Sequence, residues 1–238
     1  MMMPDWLTPS HFMMLGLQIV FAIAHSGGAA LRPWAEKYTG ARLYRVIFAL
    51  ISLPLAVLMV VYFFNHRYDG LQLWQVQGLP GVQTFVWVLS AISFLFLYPA
   101  TFNLLEIAAI QKPQVLLYET GIIRITRHPQ MVGQVIWCIA HTLWIGTTFT
   151  LVTSIGLILH HLFAVWHGDQ RLLARYGEAF ELVKQRTSII PLLAILDGRQ
   201  SFKWQEFARP AYLGVTLFVL LFWWLHPLLL VSTSKIQF

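Results

Sequence analysis

VIFALISLPLAVLMVVYFF, residues 46–64, decides the fold class. It carries no charged side chain, and its length is close to the ~20 apolar residues that a helix needs to cross a bilayer. The rest of the chain is built in the same way. Of 238 residues 58% are hydrophobic and only 11% are charged, with a mean hydropathy of +0.64. A soluble domain has roughly 25% charged residues, so this chain is read as an integral membrane protein.

Working outward from residues 46–64, five further apolar runs appear at 12–31, 82–102, 131–148, 150–167 and 210–231. The expected fold is all-α: a polytopic transmembrane bundle of about six spans, forming one domain over residues 1–238. Spans four and five are short and joined by almost nothing, which predicts a tight helical hairpin. Pro99, near the end of span three, is expected to kink or stop that helix. Residues 168–191 read as an amphipathic surface helix after span five, with Leu172, Leu173, Tyr176, Phe180 and Val183 on one face and Arg175, Glu178, Glu181 and Lys184 elsewhere.

The basic residues alternate between sides. Segment 32–45 holds Arg32, Lys37, Arg42 and Arg45; segment 65–81 holds only Arg67. Segment 103–130 holds Lys112, Arg124 and Arg127; segment 168–209 holds seven; the tail holds Lys235. Six spans place fourteen on one face and two on the other, as the positive-inside rule requires. Charges tied to helix ends suit anionic lipid rather than nucleic acid. The single cysteine excludes an internal disulfide. MMMPDWLTPSHF leads directly into the first run without an Arg- and Ser-rich transit segment. The chain is therefore expected to be bacterial or to have lost a targeting segment.

The nine histidines sort by depth. His11, His66, His167 and His226 fall near span ends and read as interfacial polar residues, and His128 precedes a proline at the entrance of span four. His25, His141, His160 and His161 lie inside spans, where an ionisable group is costly and is a functional candidate. At 1.5 Å per residue, His25 lies ~9 Å, His160 ~10 Å and His141 ~16 Å from the basic side. Two imidazoles on different helices can hold a haem iron axially. A bond to a neighbouring helix is the alternative role for each. Gly27 and Gly28, beside His25, would admit either a flat ring or a packed helix. On span four, Gln134, Cys138 and His141 share a face at i, i+4, i+7. Cys138 is either a small core residue or an alternative ligand.

HSGGAALR at 25–32, GIIRITRHPQMVGQVIWCIAHTLWIG at 121–146, LILHHLFAVWHGDQRL at 157–172 and RYGEAFELVKQRTSIIP at 175–191 together resemble the 15-cis-ζ-carotene isomerases of the NnrU-like membrane family. The resemblance implies a b-type haem with His25 and His141 as iron ligands. It also brings His128, His160 and Cys138 into the candidate catalytic set, and Gly27, Gly28 and Gln134 beside the cofactor. It implies conversion of 9,15,9′-tri-cis-ζ-carotene to the 9,9′-di-cis isomer without net redox change but with the iron reduced. That requires a lipophilic carotene substrate and an electron donor.

Part of the chain also resembles isoprenylcysteine and phospholipid methyltransferases, which bind S-adenosylmethionine: the pattern RHPxxxG, a hairpin, then a basic helix with YGE. Met131 stands where their tyrosine would be, and Asp169-Gln170 where they carry a Glu-Glu pair. A third class is an NnrU-like haem protein without isomerase activity. Docking of the polar loop at the head of span four is the structural alternative for Arg127 and His128.

Overall fold

The computed structural model describes residues 6–97, 119–208 and 210–233. Among these the regular structure is helical, with one isolated antiparallel bridge between Gln72 and Thr147. Pro99, Lys112 and Lys235, named above, lie outside the described residues, as does the end of the third expected span. Among the described residues four helices are long and apolar enough to cross a membrane: Pro9–Thr39, Ala41–His66, Thr148–Tyr176 and Tyr212–Ser232. Val82–Leu97 is a shorter apolar helix, and Pro129–Ile145 has 17 residues.

The side chains are distributed as a bilayer requires. Leu50 and Leu53 are 70% and 64% exposed, whereas Ser93 and Thr150 are fully buried. Some hydroxyls on the apolar helices are satisfied by their own backbone: Ser52 Oγ donates to Phe48 O at 2.8 Å, and Thr216 Oγ1 to Tyr212 O at 2.9 Å. Where no water can solvate a polar group, such internal bonds are obligatory.

The chain groups into two compact units that are interleaved in sequence. The first takes residues 1–83, 141–160 and 225–238. Its opening helix is continuous from Pro9 to Thr39 and has three parts: α1 (Pro9–Ala22), a π-helical turn (Ile23–Gly27) and α2 (Gly28–Thr39). The helix therefore runs on past Arg32, and segment 32–45 is helical on both sides of Gly40 rather than a loop. Arg32 pairs with Glu36 at 2.7 Å along the helix, which lets α2 run on into the polar zone. Only Gly40, at φ +76, separates α2 from α3 (Ala41–His66). That backbone conformation is cheap for glycine and strained for other residues.

The expected hairpin is present. After the short helix α5 (Ile122–Ile125), helix α6 (Pro129–Ile145) ends two residues before α7 (Thr148–Tyr176), and Thr142 Oγ1 lies 2.7 Å from Ser154 Oγ near its tip. The last carbonyls of a helix have no partner within it. Here the irregular segment 67–81 supplies partners. Trp74 Nε1 donates to Leu143 O at 2.9 Å, Gln77 Nε2 to Trp144 O at 2.5 Å, and Gln72 Nε2 to Ile145 O at 2.8 Å. The Leu73 amide donates to Gly146 O at 2.7 Å. Thr147 and Thr150 hydroxyls both donate to Arg67 O, at 2.7 and 3.0 Å.

His11 closes the same network: it lies at a helix end, as expected, but is fully buried rather than exposed. Its Nδ1 accepts the Thr8 amide at 3.0 Å, so the proton of the neutral ring sits on Nε2, which donates to Thr148 Oγ1 at 3.2 Å.

The second unit takes residues 84–140 and 161–224. Helix α4 (Val82–Leu97) packs there against both α6 and α10 (Pro210–Thr233). Ser93 Oγ donates to Gly133 O at 2.9 Å, and the Phe94 ring meets Phe218 and Phe222 edge-on at 5.6 and 5.7 Å. The amphipathic segment differs from expectation. Residues 168–176 are the last turns of α7; the helix stops at Gly177, and α8 covers only Glu178–Arg186. Phe180 and Val183 are buried as the pattern required, but residues 187–192 are not helical.

Candidate functional site

His25 sits at the centre of the π-helical turn Ile23–Gly27. A π-turn wastes one hydrogen-bond register, and such turns occur mostly at functional sites. Its consequence here is local. The imidazole lies against Phe21, stacked at 5.1 Å between centroids, and against Phe48, tilted at the same distance. His25 Nδ1 is buried and has no hydrogen-bond partner. Leaving such a nitrogen unpaired costs ~1–3 kcal/mol, so it marks a position where a further group would be stabilising.

The two glycines after His25 have different roles. A Cβ on Gly28 would lie 3.0 Å from the Phe48 ring, and the Tyr44 hydroxyl donates to Gly28 O. Gly28 therefore serves the close packing of α3 against the π-turn. A Cβ on Gly27 would meet nothing within 4 Å. Open space beside Gly27 and an unpaired ring nitrogen on His25 together suit a flat ligand with a metal centre.

His160, on α7, shares this cluster. Its ring lies 5.9 Å from Phe21, within electrostatic reach of His25. Phe21 thus stands between two histidines. Sequence reasoning overlooked Phe21 and Phe48; the i, i+4 spacing of Phe21 and His25 was the available signal for the first. His141 is half-buried on the last turns of α6, next to Thr142. On the same helix Cys138 is 1% exposed and receives a weak hydrogen bond from Gln134 Nε2 at 3.5 Å. The i, i+4 relation of Gln134 and Cys138 is thus present. Among the described residues no group of three or more His, Cys, Asp and Glu could hold a metal ion by itself; two axial histidines on a haem need no such group.

In the second unit, His128 and Arg127 converge on Asp169. Arg127 donates to Asp169 Oδ2 from Nε at 3.2 Å and from a terminal nitrogen at 3.1 Å. His128 Nε2 lies 2.9 Å from Asp169 Oδ1, a close polar contact whose N–H is not aligned on the oxygen. The Arg127 amide also donates to Ser188 O at 2.9 Å, and the Thr126 hydroxyl to Ile189 O at 2.7 Å. The segment before α6 is thereby clamped to α7 and to the strand-like stretch after α8, which is the docking role weighed for Arg127 and His128. Asp169, placed where methyltransferases carry one of two glutamates, is committed to this clamp.

A second clamp lies beside it. Glu206 accepts a fork from Arg124, at 2.9 and 3.0 Å, and the Gly121 amide at 2.5 Å. The Arg124 guanidinium and the Gly121 N–H pull the Glu206 carboxyl down to about 2.

The NnrU family profile, described as "NnrU protein", matches residues 13–233. The chain belongs to the NnrU family. Within it, the chain is 58% identical over 226 residues to a protein of Zea mays named 15-cis-zeta-carotene isomerase, chloroplastic. It is 58% identical over 219 residues to the protein of the same name from Arabidopsis thaliana. These alignments cover 94% and 91% of this chain but only 62% and 60% of the two relatives. The chain therefore spans about three fifths of the length of the curated relatives it matches. No solved structure matches it. The resemblance read from the four motifs is thus confirmed at the level of family and of named relatives, and both His25 and His141 lie within the family region.

Proposed function

We propose that this NnrU-family chain is a haem-dependent cis–trans isomerase that converts 9,15,9′-tri-cis-ζ-carotene to 9,9′-di-cis-ζ-carotene. The observation that supports it most is the 58% identity to two named isomerases over more than nine tenths of the chain. On the His25 side the residues suit a b-type haem, with a buried nitrogen without a partner and open space at Gly27; the second imidazole is assigned to His141 by the resemblance. When bound, ferrous haem would supply electron density that lowers the order of the 15–15′ double bond.

The chain's own contribution is placement. Phe21 and Phe48 fix the plane of the His25 ring and keep water from it. His160 faces the same phenylalanine and is the candidate for a polar contact close to the reacting centre. Cys138, one turn before His141, is the candidate replacement ligand should His141 release. In this reading Val82–Leu97 and Pro129–Ile145 cross the bilayer as well, for a total of six spans; seventeen residues rise ~26 Å, near the hydrocarbon thickness. The membrane is a thylakoid, plasma or plastid membrane, and an electron donor reduces the iron.

The test is an isomerisation assay on purified, dithionite-reduced protein, with the product isomers resolved by chromatography. Wild type should yield the di-cis isomer. His25→Ala and His141→Ala should each alter the Soret band and reduce turnover at least ~10-fold. A Soret band without isomerisation would instead mark a family member with another haem function. Binding of S-adenosylmethionine without a Soret band would mark a methyltransferase.

A further inference from the structure

The segment after α8 exposes apolar side chains that no spanning helix accounts for. Leu196 is 81% exposed, Trp204 66%, Ile190 61% and Phe202 55%, with Leu192 and Leu193 beside them. None belongs to a candidate span. Yet the segment is folded. Ala194, in the middle of α9 (Leu193–Leu196), is fully buried. The Leu192 amide donates to Ile125 O at 2.9 Å, and Gln200 N to Ala194 O at 2.7 Å. Arg199 donates to Gln185 O and Thr187 O at the end of α8, at 2.9 and 3.0 Å, while Asp197 accepts from it at 2.6 Å. Arg124 holds Gln200 at 2.6 Å and Glu206 at 2.9 Å. A loop pinned at so many points does not expose leucines because it is loose.

We propose that residues 190–204 form an interfacial element whose leucines, Phe202 and Trp204 are immersed in the acyl border of the bilayer, and whose occupant is lipid rather than protein. Three observations favour lipid. First, the element lies between two membrane-crossing helices: α7 ends at Tyr176 and the next span begins at Tyr212, eight residues after Trp204. The chain must approach the membrane surface there. Second, the backbone around α9 is already paired, since the turn closes on itself: Ile195 and Leu196 amides donate to Leu192 O, and Asp197 N to Leu193 O. Entering the headgroup boundary then leaves few open N–H groups. Third, residues 184–203 carry Lys184, Arg186, Arg199 and Lys203 against one acidic residue, Asp197. Tryptophan beside basic residues is the composition of a membrane-interface anchor.

The experiment uses the full chain in nanodiscs containing phosphatidylglycerol and phosphatidylcholine. A nitroxide is attached at Leu196→Cys, at Phe202→Cys or at Gln185→Cys, the last an exposed site outside the element. The native Cys138 is buried and serves as the unlabelled background. At 196 and 202, collisions with oxygen should exceed those with a water-soluble nickel chelate several-fold, and at 185 the order should reverse. Equal access of the nickel chelate to all three sites overturns the proposal. So does spin–spin broadening at 196 that vanishes when unlabelled chain is added, since that would mean a second copy covers the patch. On the unsubstituted protein, a lipid with a diazirine in its acyl chain should label peptides covering 190–204; label confined to the spanning helices overturns it equally.

Discussion

Replacing Gly133 by alanine tests how α4 and α6 are packed within the second unit. Gly133 is the glycine of RHPQMVG, and a Cβ there would lie 2.7 Å from Leu97 Cγ, 2.8 Å from Ser93 O and 3.1 Å from Leu97 N. Carbon neighbours normally sit ~3.5–4.0 Å apart, so the two helices would have to separate by ~1 Å. Two of the three obstructing atoms are backbone and cannot rotate away. Overpacking of this kind costs ~1–3 kcal/mol. The 2.9 Å bond from Ser93 Oγ to Gly133 O is strained in the same move, worth ~1 kcal/mol. Against this, alanine gains ~1 kcal/mol over glycine in a helix. The net loss is ~1–3 kcal/mol, a fall of roughly 3–9 °C in the unfolding midpoint for a chain of this length. Gly168→Ala is the internal control. It too is helical, but its Cβ would meet nothing within 4 Å, so only the propensity gain of ~1 kcal/mol remains. The two variants, unfolded thermally in the same detergent, should move in opposite directions. Equal midpoints would refute the close approach of the helices at Gly133.

Asp169→Asn should destabilise the second unit by ~3 kcal/mol or more, because Arg127 and His128 lose the carboxylate they share in a largely buried site; detergent-solubilised unfolding reads it. The Glu206 carboxyl has its proton affinity depressed in the fold, from 4.5 to about 2. Its stabilising contribution is therefore complete above pH ~4.5 and is lost as pH falls towards 2. The difference in midpoint between wild type and Glu206→Gln should be largest near neutrality and shrink below pH ~4.5; a constant difference from pH 7 to pH 3 would contradict the Arg124 and Gly121 clamp.

Residues 46–64 were legible because a spanning helix is set by composition along a contiguous stretch, and no tertiary partner can change that. The hairpin at Gly146 was legible for the same reason: two apolar runs with only a two-residue break have one way to connect. Segment 32–45 was misread because charge alone was taken to mean loop. Arg32 and Glu36 satisfy each other along the helix, and Gly40 is enough to turn the chain. The burial of His11 was not legible because its position near a span end says nothing of Thr8 and Thr148, and Thr148 lies more than a hundred residues away.

The sequence by itself determined that the chain is helical and apolar, which histidines fall inside apolar runs, and to which family it belongs, since each of these depends on residue identity and spacing along one chain. Tertiary structure alone decided which groups meet. It put Phe21 between His25 and His160, left His25 Nδ1 without a partner, separated Gly28 as a packing residue from Gly27 as open space, and drew Arg127 and His128 onto Asp169. The physical reason is common to all four. Hydrogen bonds, ring contacts and close approaches act over a few ångströms between residues distant in sequence, and no periodicity along the chain records them.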